Sequence, residues 1–141
     1  MGPTDRPASS SSGRRRFLVA FVLAGMYACS DSGNVANLGS QAWGEYRVSV
    51  ETRPAPPRPG HNEVVVILSG DRHRPIYDAV VRLRAQQAQA WVQAIEDGHV
   101  GVYRRAVDFG EGEQATLQVQ LQRGTEETIL EFPVPIGPAI K

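Results

Sequence analysis

The side chains able to hold a metal or transfer a group are few and scattered in this chain of 141 residues. Its histidines, His61, His73 and His99, fall in three separate turn segments, with the carboxylates Glu63, Asp71 and Asp97 close to them in sequence. A mixed imidazole and carboxylate set suits zinc or cupric ion, whereas cuprous ion asks for thioether or thiolate. Both methionines, Met1 and Met26, lie before the lone cysteine, Cys29. Scattered turn histidines read as solvated side chains, so neither a metal nor a cofactor is expected, and His61, His73 and His99 are only weak candidates. Catalysis finds less support still. Asp71 and His73 are spaced to orient a nucleophile, but no serine sits in a strained elbow motif and no carboxylate pair flanks a glycine-rich cleft. No catalytic residue is expected, and the chain reads as a non-enzyme.

Cys29 has a different chemistry. Arg14, Arg15 and Arg16 precede about twelve mostly apolar residues and then small ones, the three regions of a secretory signal peptide. A permanent helical span would need roughly twenty apolar residues. The run ends in Met26, Tyr27, Ala28 and Cys29, which resemble the lipobox of bacterial lipoproteins. That resemblance implies a cysteine that is acylated, with palmitate among its chains, and becomes the first residue of the mature protein. A lone exported cysteine has no internal disulfide partner, and lipid attachment accounts for it. One acyl chain anchors only marginally, and stable anchoring takes more than one. An uncleaved signal anchor and ordinary cleavage near Ala28 are the alternatives. The arginines also resemble a twin-arginine export motif, although three of them serve equally as an ordinary positive segment. The lipoprotein resemblance further implies that Ser30, a non-acidic residue after the cysteine, goes with sorting to the periplasmic face of the outer membrane, if the cell is Gram-negative.

The chain therefore divides into a signal peptide with a disordered leader (1–28), a lipidated cysteine with a flexible tether (29–42), and one domain (43–141). Removing Arg6, Arg14, Arg15 and Arg16 from fifteen basic residues, and Asp5 from fifteen acidic ones, leaves eleven against fourteen. A net charge near −3 carries no electrostatic footprint for nucleic acid. Partners are expected in the membrane, through the anchor, and in an envelope protein.

Within the domain, apolar residues recur with period two, the mark of half-buried strands. Tyr46, Val48 and Val50 form the first set. The continuous apolar run 63–69 predicts a central strand covered on both faces. Ala79, Val81, Leu83 and Ala85 follow, with Arg82 and Arg84 opposite. Tyr103, Val107 and Phe109 form a further set, then Ala115, Leu117, Val119 and Leu121 opposite Thr116, Gln118 and Gln120. Leu130, Phe132 and Val134 close the series, with Pro133 and Pro135 placing that strand at a sheet edge. The stretch 86–95 is ambiguous between helix and strand, and a short strand over 91–95 is the preferred reading. Turn signals separate these runs, Asp97-Gly98 being a strong hairpin signal. The four prolines of 53–60 read as a stiff crossing between two sheets rather than as a ligand for a partner groove. Arg72, Arg74, Arg82, Arg84, Arg104 and Arg105 read as an interspersed charged surface rather than an anion-binding patch. Six or seven short strands predict an all-β, immunoglobulin-like antiparallel sandwich.

The order of motifs resembles the YtkA-like domain family, related to the FixH group. The resemblance rests on Val48, Ser49, Val50, Glu51 and Thr52; on 59–66 beginning Pro59-Gly60-His61; on 74–83 beginning Arg74-Pro75-Ile76-Tyr77; and on Asp97-Gly98, Gly101-Val102-Tyr103, Gly112-Glu113, Leu117-Gln118-Val119 and Phe132-Pro133-Val134. It implies an immunoglobulin-like fold and an association with copper handling or respiratory-oxidase maturation. Relatives often carry methionines between the positions of Leu83 and Gly98, and this chain has none there. The preferred reading is therefore a lipid-anchored cell-envelope interaction module, with a metal-handling accessory factor as the alternative.

Overall fold

The structure, a computed structural model, describes Gly2 and residues 34–138. The expected signal peptide and leader apart from Gly2, Cys29, the first residues of the expected tether and the last three residues lie outside the described residues. Among the described residues nine strands are formed: β1 (Ala36–Trp43), β2 (Tyr46–Arg53), β3 (His61–Ser69), β4 (Val80–Arg84), β5 (Val92–Gln93), β6 (Ile95–Glu96), β7 (Val102–Asp108), β8 (Gln114–Arg123) and β9 (Glu126–Pro135). They make two antiparallel sheets, one ordered β1-β2-β3-β7-β6 and the other β5-β4-β8-β9. With β1 set aside, that order is the two-sheet arrangement of the immunoglobulin fold, with a short extra strand at the edge of the second sheet.

Alternation builds the core. Val48 and Val50 of β2, Val64, Val66 and Leu68 of β3, and Tyr103, Val107 and Phe109 of the β7 segment face inward and are buried. They meet Val81 and Leu83 of β4, Leu117, Val119 and Leu121 of β8, and Phe132 and Val134 of β9. Each such side chain removed from water stabilises the fold by roughly 1.5–3 kcal/mol. β3 is central in its sheet, and Val65 on its outer face is only 3% exposed. β9 is the edge strand that its prolines require.

Four expectations need correction. Residues 36–42, expected as tether, form most of β1, which pairs along β2 through the two-residue turn Gly44-Glu45. The alternation of β1 is hidden because the register shifts between Asn37 and Gly39, moving the sheltered side chains from Leu38 to Gln41 and Trp43. Such a shift, one extra residue in one strand, reverses which parity faces the core. The ordered domain consequently begins at β1 rather than at residue 43, and it has nine strands rather than six or seven.

The proline run, expected to cross between sheets, instead joins neighbours β2 and β3 of the same sheet. The buried Asn62 holds it down: its Oδ1 accepts from the Arg58 N–H at 2.9 Å, and its amide donates to the Arg58 and Gly60 carbonyls at 2.7 and 3.0 Å. Lastly, the strand expected over 91–95 is split. Val92–Gln93 pairs with β4, Ile95–Glu96 pairs with β7, and buried Ala94 is where the chain changes sheets.

The loops at one end are packed around Gly101. Its carbonyl accepts from the Leu68 N–H at 2.9 Å, and the Tyr103 hydroxyl donates to the Ile76 carbonyl at 3.2 Å. Gly101 has φ +79°, and a Cβ there would lie 2.8 Å from the Leu68 carbonyl oxygen and 2.9 Å from Pro75 Cβ. Both the backbone conformation and the backbone neighbours oppose a side chain. Gly101→Ala is expected to cost on the order of 3 kcal/mol, read as a lowered midpoint in denaturant unfolding.

Candidate functional site

The three histidines are placed by β3. His61 begins that strand and His73 lies beyond its end, and nine strand residues span about 26 Å at the usual rise. His99 sits in the turn before β7, at the same end as His73, because Leu68 pairs with Gly101 there. All three are exposed. His61 is therefore separated from His73 and His99 by the length of the domain. Among the described residues, no three histidine, cysteine or carboxylate side chains gather closely enough to hold a metal.

Two of the carboxylates expected to assist them are engaged on the outer face of the larger sheet. Arg104 Nη1 lies 3.3 Å from Glu63 Oε1, and its Nε lies 2.6 Å from Asp97 Oδ2. Arg53 Nε approaches the other Glu63 oxygen at 3.9 Å. These pairs are partly exposed, and such ion pairs contribute about 0–1 kcal/mol each. Arg82 and Arg84 lie on the other sheet, and Arg72 and Arg74 in the loop after β3, so the arginines do not form one patch.

The end of the sandwich carrying that loop, called the far end below, holds two features. Arg72 and His73 both adopt left-handed backbone, with φ of 51° and 59°. Left-handed backbone costs a residue with a side chain roughly 1–2 kcal/mol. The turn is held by hydrogen bonds from the Gly70 N–H to the Arg74 carbonyl (2.7 Å) and from the Arg74 N–H to the Asp71 carbonyl (3.1 Å). It overhangs a cavity of about 540 Å³ whose lining includes Ser40, Arg47 and Ser69.

Nearby, Arg123 of β8 donates to Asp78 Oδ1 at 2.7 Å and to the Tyr46 hydroxyl at 2.5 Å. Trp43 packs edge-on against Tyr46 at 5.4 Å between ring centroids. This clamp joins β2, β8 and the segment leading into β4. The hydrogen bond from Arg123 holds the Asp78 carboxyl below its ordinary value, and Asp78 in turn pushes the guanidinium upward. Burial raises the Tyr103 phenol.

The outer face of β5-β4-β8-β9 escaped the sequence reading, which treated Thr116, Gln118 and Gln120 only as a strand's solvent side. Arg84 Nε donates to Gln118 Oε1 and Gln118 Nε2 donates to Glu131 Oε1, both at 2.7 Å, a relay across three strands. The Arg84 guanidinium also lies over the Trp91 ring, 4.3 Å from its centroid. Gln120 Nε2 donates to Glu127 Oε1 at 2.5 Å. Beside the relay are two open concavities of about 410 and 470 Å³. The available signal was compositional: the outward positions Gln114, Thr116, Gln118, Gln120 and Gln122 of β8 are all neutral hydrogen-bonding residues.

No family model matches the chain. Nor does any curated protein or solved structure match it.

The clamp and the histidines each generate a measurement. A lowered aspartate pKa stabilises the fold fully above the ordinary value and loses that contribution as pH falls through the lowered one. The thermal midpoint of Asp78→Asn is therefore expected below that of the unaltered protein at neutral pH. The gap should close as pH drops below the ordinary aspartate value of 3.8. Calorimetric titration with zinc, cupric and cuprous ions is expected to give only weak heats, unchanged by joint His61→Ala, His73→Ala and His99→Ala substitution. One tight stoichiometric event abolished by those substitutions would establish the metal-handling alternative.

Proposed function

We propose that this chain is a lipid-anchored cell-envelope protein whose sandwich is a non-catalytic interaction module. The observation that carries the reading is the polarity of the domain relative to Cys29. Ala36, where β1 begins, pairs with Thr52 next to the proline loop, at the end opposite the Arg72–His73 turn. Cys29 precedes Ala36 by seven residues, a reach of at most about 25 Å. An acylated Cys29 would thus hold the proline-loop end toward the membrane and direct the far end away from it. Among the described residues, four large apolar side chains are conspicuously exposed. Of these, Tyr77 (67%) and Val100 (54%) lie in far-end loops, and Ile95 (62%) lies on the edge strand leading to one of them.

The resemblance to YtkA-like domains is consistent with the immunoglobulin-like strand order and supports an envelope setting. The periplasmic face of the outer membrane is the proposed location in a Gram-negative cell. Cys29→Ser is expected to abolish fatty-acid labelling and to move the protein out of the membrane fraction or leave its signal uncleaved. Equal acylation of both forms would refute the anchor.

A further inference from the structure

The chain contains nine glutamines, and seven of them, Gln86, Gln87, Gln93, Gln114, Gln118, Gln120 and Gln122, belong to the outer face of β5-β4-β8-β9 or to the turn beside it. A solvated sheet face ordinarily mixes charges of both signs. Here the one charged residue lining the groove, Glu131, is engaged, because Gln118 bridges it to Arg84. With that charge neutralised, the exposed amides of Gln86, Gln87 and Gln114 are left as the groove's donors and acceptors, which suits neither a polyanion nor an anionic lipid surface.

The two concavities share Gln114, Ala115 and Thr116 and so lie side by side, a groove stepped at these residues. It runs from Gln86 and Gln87, past Gln118 and Glu131, to Pro133 and Pro135, crossing from the end of β4 over β8 to β9. Each component lies in the volume range of small-molecule sites. Its walls alternate two chemistries. Carboxamides and a hydroxyl supply paired donors and acceptors, while Ala115 and the two proline rings offer apolar surface.

A pyranose has the matching pattern, with hydroxyls around its rim and C–H groups on its faces. An acetamido substituent adds a donor and an acceptor that pair directly with a glutamine amide. An added β-strand fits poorly on the adjoining edge, because Pro133 and Pro135 have no N–H and the Glu131 carbonyl already accepts from Gln41 at 2.6 Å. We propose that this groove binds a neutral, acetamido-bearing glycan strand of the cell envelope. The proposal goes beyond the interaction-module reading and rests on it only for the envelope setting: the groove opens beside the proline-loop end, where the Gly60 N–H donates to the Gly110 carbonyl and the Ile136 N–H to the Glu113 carbonyl, and not at the far end. Because the groove crosses the strands, a bound glycan would run perpendicular to the long axis of the sandwich.

The test uses the full acylated chain in a non-glycosidic detergent, titrated calorimetrically with the N-acetylglucosamine hexamer. Saturable binding is expected, weakened about tenfold in the Gln114→Ala/Thr116→Ala double variant, as loss of two hydrogen bonds implies. Both positions are exposed, so the thermal midpoint should not move. Absence of saturation, or equal binding by the double variant at an unchanged midpoint, would overturn the glycan groove. Self-association of the chain that the same substitutions abolish would overturn it too, by assigning the face to a second copy. Acylation is read separately: glycan binding lost with Cys29 still labelled sinks the groove alone, and binding retained with Cys29 unlabelled sinks the anchor alone.

Discussion

The structure depends on one apolar layer between two sheets. Neither sheet can bury its period-two face alone, so Val64, Val66 and Leu68 are stable only where Leu83, Leu117, Val119 and Phe132 cover them. Closing that layer leaves the two flanks of the sandwich as the weak points, and a glutamine seals each. Gln41 of β1 donates to the Glu131 carbonyl of β9, and Gln89 donates to the Asp108 carbonyl of β7 at 3.1 Å while its oxygen accepts from the Ala85 N–H. A neutral amide can satisfy an edge carbonyl without burying a charge, which is why it suits these positions better than lysine or arginine.

With the layer closed, each end of the sandwich acquires its own character. The end where β1 begins is held by backbone and amide hydrogen bonds: Asn62 fixes the proline loop, and the Gly137 N–H donates to the Pro57 carbonyl at 2.7 Å. The opposite end carries the left-handed Arg72–His73 turn, the exposed Tyr77 and Val100, and the Arg123 clamp. Strained backbone persists only where surrounding structure over-determines it. Here the fixed partners are Gly70, Arg74 and the packing of Pro75 against Gly101. The two ends of the sandwich therefore differ in chemistry, with an amide-held proline loop at one and exposed apolar side chains at the other.

Much of this fold was legible in the residues, for a physical reason. Period-two alternation in Val48 and Val50, in Leu117, Val119 and Leu121, and in Phe132 and Val134 reports a local geometric fact, that successive strand side chains point to opposite faces. The sandwich, its central β3 and its proline-marked edge strand follow from that pattern and from the turn residues between runs. The signal-like run and the lipobox-like residues before Cys29 are likewise properties of order and composition alone, and they define the envelope reading without any tertiary contact.

What only the tertiary structure decided was wherever pairing, not periodicity, chooses. β1 was hidden because a bulge at Gly39 reversed its parity, so its membership in the sheet became visible only in its register with β2. Residues 92–96 divide between sheets at Ala94, and two residues of pairing on either side leave no periodic trace. The separation of His61 from His73 is set by the length of β3, and the glutamine groove by the apposition of β4, β8 and β9. Spacing along a chain specifies the face on which a side chain stands. Which other faces it meets is set by strand order, and strand order is a property of the closed core.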